Sequence, residues 1–269
     1  MSNFTIGVFD SGMGGLTAVE ELDRLLPQAD IVYFGDTGHV PYGGRPRDQL
    51  LYMARKNITF LRAKGAQLIL AACGTITAVA LDTVAAETDI PLFGVAAPAV
   101  AQARQITRNR IVGFIATEAC VASGFNQALL ENAIPGVQVI AQACPPFVPL
   151  IEAGIVSDED PRLRQAIDDS LRGIRASGAD TVILGCTHYP IISAAIQAYL
   201  GPQVHLISSS ASAACALAAH LPAANAVSGS GLHQYYTSGD AALFSATAEK
   251  LLGHPLPGPV EAIEPYPLA

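Results

Sequence analysis

Two short segments of this sequence repeat one another in the residues that could do chemistry. Leu68-Ile69-Leu70-Ala71-Ala72-Cys73-Gly74-Thr75 and Val182-Ile183-Leu184-Gly185-Cys186-Thr187-His188 each carry an apolar run followed by a cysteine and a threonine, and the two cysteines lie 113 residues apart. A free thiol has a pKa of about 8.5, so nearby charges or helix N-termini can hold it at neutral pH either as an acid or as a thiolate base. Proton exchange at a stereocentre needs two such groups: one removes the α-proton from one face, the other delivers a proton to the opposite face, and the roles exchange in the reverse direction. Negative charge then grows beside a carboxylate and must be met by hydrogen-bond donors. Ser11, Thr75, Thr117 and Thr187, with the backbone N–H groups around them, are the candidate donors.

Each of these residues has an ordinary reading as well. A cysteine in an Ala-rich chain is by default a small buried hydrophobe, and Cys120, Cys144 and Cys215 are read that way. Asp10 ends an apolar run and opens a turn, where capping the next helix is its common role. His188 reads on its own as a hydrogen-bonded, half-buried imidazole, and Glu152, beside apolar Val148–Ile151, as a solvent-facing helix residue. Asp36 reads as an organiser of the loop toward Tyr42 rather than a proton donor, and the remaining histidines (39, 205, 220, 233 and 254) receive no role. The Gly12-Met13-Gly14-Gly15 turn invites a phosphate, but Thr17 stands where the dinucleotide fingerprint needs its third glycine and Asp10 places negative charge beside it. A zinc hydrolase built from Cys73, Cys186, His188 and Asp10 is a second chemistry; two thiols without a histidine pair are a poor ligand set for it.

The elements that must position these groups show as alternation. Strand-like runs at Ile6–Phe9, Ile31–Phe34, Leu68–Ala71, Leu92–Val95, Ile111–Ile115, Val137–Ile140, Val182–Leu184 and Val204–Ile207 are separated by helical periods. Leu16, Val19, Leu22 and Leu26 mark one helix face, Leu51, Ala54, Ile58 and Leu61 another, and Leu163, Ile167, Leu171 and Ile174 a third, with Gly65 and Gly178 where helices end. Such alternation implies an α/β fold with doubly wound parallel sheets, whose ligands gather at the carboxyl ends of strands. Ile6–Gly12 resembles Val112–Thr117 at a spacing of about 107 residues, nearly the spacing of the two cysteines, which suggests an internal duplication. The expectation is two similar α/β domains related by a pseudo-two-fold axis, residues 1–97 with 208–269 and residues 98–207, with the site at their interface. Ala96–Ala103 and Ser208–Ser212 are the expected crossings, and Gly253–Ala269, Pro-rich and without periodicity, is expected to be an irregular or mobile tail.

Composition narrows the function classes. A net charge of −8 with few, scattered Lys and Arg over 269 residues disfavours nucleic acid as a partner. No run approaches 18 apolar residues and Met1–Phe4 lacks the character of a signal peptide, so no membrane role and a cytoplasmic location are expected. Five widely spaced cysteines without a CxxC pair fit reduced thiols rather than a disulfide framework or a zinc ribbon.

Taken in order, Asp10-Ser11-Gly12-Met13-Gly14-Gly15-Leu16, Tyr33-Phe34-Gly35-Asp36-Thr37, Val40-Pro41-Tyr42-Gly43, Ala72-Cys73 with Thr75 and Thr77, Phe147-Val148-Pro149-Leu150-Ile151-Glu152-Ala153-Gly154 and Leu184-Gly185-Cys186-Thr187-His188-Tyr189-Pro190 span nearly the whole chain. In that order and spacing the sequence resembles the glutamate racemases of the aspartate/glutamate racemase superfamily. The resemblance implies that Cys73 acts on the proton of the D-enantiomer and Cys186 on that of the L-enantiomer, with Asp10 assisting the first thiol and Glu152 and His188 the second. It also implies that Ser11, Pro41, Tyr42, Gly43, Thr75, Thr117 and Thr187 surround the substrate, that neither pyridoxal phosphate nor a metal is used, and that the protein is a homodimer supplying D-glutamate for peptidoglycan. The chain departs from the family at Gly74, where the family has Asn: the change removes a substrate-facing amide and is expected to leave room for a water or another side chain. Cys120, Phe125 and Ser208 depart where the family prefers Thr, Tyr and Asp. These departures keep two alternatives open, a racemase for aspartate or another amino acid and a ligand-binding paralogue.

Overall fold

The computed structural model describes residues 4–221 and 229–268. Residues 1–3, part of the stretch read above as lacking a signal peptide, lie outside them, as does Ala269. The chain begins with β1 (Thr5–Asp10), α1 (Leu16–Leu25), β2 (Asp30–Gly35), α2 (Arg47–Ala63), β3 (Leu68–Ala71), α3 (Gly74–Val79), α4 (Leu81–Ala85), β4 (Leu92–Gly94) and α5 (Ala96–Ile106). It continues with β5 (Ile111–Ala116), α6 (Glu118–Ala122), α7 (Phe125–Ala133), β6 (Gln138–Ala143), α8 (Phe147–Glu152), α9 (Pro161–Ser177), β7 (Thr181–Leu184), α10 (Ser193–Leu200) and β8 (His205–Ser208). It closes with α11 (Ser209–His220), β9 (His233–Thr237), α12 (Ala241–Leu252) and β10 (Val260–Ala262).

The strands form two parallel sheets, ordered β10-β9-β2-β1-β3-β4 and β6-β5-β7-β8. The run β2-β1-β3-β4 of the first sheet has the same connectivity as β6-β5-β7-β8 of the second, so β3 and β7, the strands before Cys73 and Cys186, are counterparts. This is the doubly wound architecture expected from the alternation, and it carries the duplication seen in the sequence. Helices cover both faces of each sheet. Ile6, Val8 and Leu70 pack to one side of the first sheet, and Phe9, Ile69 and Ala71 to the other. Burial on both faces explains why the strands read as continuous apolar runs rather than as alternating ones.

Local chemistry sets the helix ends. Asp160 caps α9 by accepting a hydrogen bond from the Arg162 N–H at 2.9 Å, and Gly178 stops the helix in the left-handed region at φ 72°, which costs a residue with a Cβ. The buried stripe Leu163, Ile167, Leu171 and Ile174 lies between these ends, against the second sheet. Ala96–Ala103, read as a crossing between halves, is the body of α5; Pro98 sits in its first turn, where no backbone N–H is needed. Ser208 caps α11 by accepting from the Ala211 N–H at 3.1 Å as the chain returns.

One expectation is corrected. The segment after Gly253 is not an irregular tail: Val260–Ala262 adds a parallel strand beside β9, and the Ile263 N–H donates to the Thr237 carbonyl at 2.8 Å. The added strand is three residues long with Glu261 and Ala262 exposed, so an edge position leaves no apolar alternation to read. Among the described residues no helix is long and apolar enough to cross a membrane.

Candidate active site

The carboxyl ends of both sheets turn toward one cavity of about 460 Å³. Asp10, Ser11, Pro41, Tyr42, Gly43, Cys73, Gly74 and Thr75 line it from the first sheet's side. Thr117, Glu152, Cys186, Thr187 and His188 line it from the second. All the residues assigned to the site from the sequence are therefore brought to a single wall-to-wall pocket. Parallel strands explain the convergence, because every loop that follows a strand emerges on the same edge.

Cys73 stands two residues past the end of the buried β3, at the N-cap position of α3, with 4% of its surface exposed. Burial pushes its thiol well up, and the negative charge of Asp10 pushes the same way; the backbone N–H of Ile76, the Ser11 hydroxyl and the N–H of Thr75 offset part of this. The resting group is thus a thiol. The Asp10 carboxylate accepts from the Gly15 N–H at 2.7 Å, from the Thr187 hydroxyl at 3.2 Å and from the Ser11 hydroxyl at 3.4 Å. Its ordinary role at the start of α1 and its place beside Cys73 therefore coexist.

Cys186 sits in a different setting. Its Sγ lies 3.8 Å from His188 Nδ1, and the other ring nitrogen, Nε2, lies 3.2 Å from Glu152 Oε1. Burial acts to lower His188, but it is outweighed by the hydrogen bonds to Cys186 and Glu152 and by the negative charges of Cys186 and Asp10, which push it up to about 10. An imidazolium beside the sulfur stabilises negative charge on it. Glu152 ends α8 with its side chain 36% exposed, so the relay from sulfur through the ring ends at the mouth of the cavity.

The two halves touch through glycines. A Cβ on Gly14 would stand 2.4 Å from Thr187 Oγ1 and 2.5 Å from His188 Nδ1, and a Cβ on Gly74 would stand 2.4 Å from the Gly185 carbonyl oxygen. Gly74 follows Cys73 and Gly185 precedes Cys186, so this contact joins the two thiol-bearing segments directly. The space expected to be freed at Gly74 is therefore filled by backbone of the opposite half. Across the same seam the hydroxyls of Thr75 and Thr117 lie 3.3 Å apart.

Cys144, Val148 and Pro149 also line the pocket, though the sequence gives none of them a role in the site. Cys144, by its type a small buried hydrophobe, follows β6 immediately, and the end of a parallel strand is where ligands gather. Burial pushes its thiol up to about 12. Among the described residues no three His, Cys, Asp or Glu side chains gather as a metal site requires.

Comparison with known proteins agrees with this geometry. Residues 40–218 match the family described as Asp/Glu/hydantoin racemase. A glutamate racemase from Desulforudis audaxviator is 38% identical over 272 residues, covering 98% of both chains. The structure of a glutamate racemase from Bacillus anthracis superposes with a TM-score of 0.91 at 29% identity, covering 97% of this chain and 98% of that one. That of a Francisella tularensis glutamate racemase in complex with D-glutamate gives 0.88 at 31% identity, covering 98% of each. On the strength of a family match over most of its length and relatives alike from end to end, the chain belongs to the Asp/Glu/hydantoin racemase family, alongside the glutamate racemases.

Proposed function

We propose that this protein interconverts L- and D-glutamate by two-base proton transfer between Cys73 and Cys186, without a cofactor. The observation that carries the reading is the pair of counterpart strand-end thiols lining one cavity, each with its own assisting groups. Glutamate as the substrate is supported by the relatives that bear that name and by the D-glutamate complex of one of them.

With L-glutamate bound, the Cys186 thiolate, stabilised by the His188 imidazolium, takes the α-proton. The electron pair stays on Cα and spreads into the adjacent carboxylate, where the hydroxyls of Thr75 and Thr117 and the backbone N–H of Gly74 meet the growing charge, while Ser11 and Thr187, whose hydroxyls donate to Asp10, and Pro41, Tyr42 and Gly43 enclose the bound substrate. The Cys73 thiol delivers its proton to the opposite face and D-glutamate forms. One proton is removed and one added, so no oxidant or reductant takes part. The enzyme is left with a thiol at 186 and a thiolate at 73, the form that acts on the D-enantiomer. Asp10 holds Ser11 and Thr187 and assists Cys73; Glu152 anchors His188.

The proposed division of the chain is 1–97 with 208–269 against 98–207. A cytoplasmic homodimer supplying D-glutamate for peptidoglycan is the setting this activity suits.

The test is turnover in deuterium oxide. Both enantiomers of glutamate should gain deuterium at Cα, and aspartate and larger amino acids run in parallel should not. Cys73→Ala and Cys186→Ala should each lose racemisation by about 10²–10⁴-fold or more, the range for a positioned acid or base. Full activity in either variant, or no exchange with glutamate, overturns the reading.

A further inference from the structure

Asp36 is fully buried at the end of β2, and four side chains converge on it. His39 Nδ1 lies 2.7 Å and the Ser238 hydroxyl 2.6 Å from Oδ1; the hydroxyls of Tyr42 and Tyr266 donate to Oδ2 at 2.5 and 2.6 Å. Two of these partners arrive from more than 200 residues away in sequence. Tyr266 makes further contacts that fix its own place: its carbonyl oxygen lies 2.8 Å from His39 Nε2, its ring stacks on the His39 imidazole with centroids 4.4 Å apart, and its hydroxyl also lies 3.1 Å from Asn57 Oδ1. Asn57 Nδ2 in turn donates to the Tyr42 hydroxyl at 3.1 Å. Tyr42 and its neighbours Pro41 and Gly43 form a wall of the cavity. The wall is short and irregular, with no strand or long helix of its own to hold it.

We propose that Tyr266, carried by the segment that follows β10, is a positioning residue for the substrate: through Asp36, His39 and Tyr42 it braces the 40–43 wall of the pocket. A charge-assisted bond to a buried carboxylate is the strong kind, and both ends of the brace are tied into the first sheet, through β2 on one side and the β9–β10 pair on the other. Loss of the Tyr266 hydroxyl leaves Asp36 Oδ2 with Tyr42 alone and frees the wall to shift, while Cys73, Cys186 and His188 ride on other elements. The brace therefore acts on binding in preference to the proton steps.

The inference rests on the pocket being the glutamate site, and the experiment separates the two. In Tyr266→Phe, compared with Tyr235→Phe, which loses a part-buried hydroxyl contact to His233 outside the pocket lining, amide hydrogen exchange over residues 37–44 should accelerate without substrate present. KM for both enantiomers should rise roughly tenfold, as for one lost hydrogen bond to a charged group, with kcat within about threefold. Tyr266→Ala, which also removes the stack on His39, should move both readings further. Unchanged exchange over 37–44 in both Tyr266 variants, or equal effects from Tyr235→Phe, overturns the inference whatever the substrate. Faster exchange in a protein whose wild type neither binds nor turns over glutamate upholds the brace and removes the substrate assignment instead.

Discussion

His188 stands between a sulfur and a carboxylate, and its titration should appear in the rate. Held up to about 10 from an ordinary 6.5, the imidazolium is present in both folded and unfolded chains below 6.5, persists only in the folded chain between the two values, and is lost as pH rises through about 10. Its contribution to stability therefore disappears toward alkaline pH, and so should turnover of L-glutamate, with a limb near pH 10. In Glu152→Gln the limb should move to lower pH, because one of the groups favouring the cation is gone, and kcat should fall by up to about a hundredfold. A pH–rate profile with the limb unmoved would remove Glu152 from the relay. Spacing placed Glu152 on a solvent face and only the resemblance raised it, and both readings hold a part: the side chain is partly exposed and still reaches the ring.

Among the elements, the strands with two buried faces were the most plainly legible, and the partly buried β4, β6 and β8 still read as apolar runs. β1, β3, β5 and β7 are apolar runs in the sequence, and β3 and β7 carry the strand-end cysteines with them, so the pairing of the two thiols is legible in the sequence alone. β9 is not such a run: His233-Gln234-Tyr235-Tyr236-Thr237 opens with polar residues, and its place in the sheet depends on β2, about 200 residues earlier in the chain. The helix α9 was legible for the opposite reason, a local cap at each end and a single apolar stripe. Leu171 lies in that stripe and is fully buried. Leu171→Ala should cost about 2–5 kcal/mol in denaturant unfolding through the cavity it leaves, and a loss below about 1 kcal/mol would mean the stripe is not the core contact.

At the scale of the whole molecule, the distance between the thiols is governed by how closely the halves meet, and at Gly74 against Gly185 the two Cys-bearing segments meet backbone to backbone. The family resemblance alone suggests that Gly74→Asn restores a substrate contact and raises activity; the geometry gives the reverse. A side chain there must push the backbones apart, and misplacement by about 1 Å can lower the rate about a hundredfold, so kcat should drop in Gly74→Asn and in Gly74→Ala alike. A gain of activity in Gly74→Asn would show that the seam relaxes freely. The order of the strands has a consequence for biogenesis. The second sheet, β5 to β8, is contiguous in the chain and can assemble from neighbours, whereas the first waits for β9 to return and dock on β2. During translation both sulfurs have left the ribosome long before residues 233–266 follow, so a nascent chain carries its full set of reactive groups for some time before the pocket that disciplines them is complete.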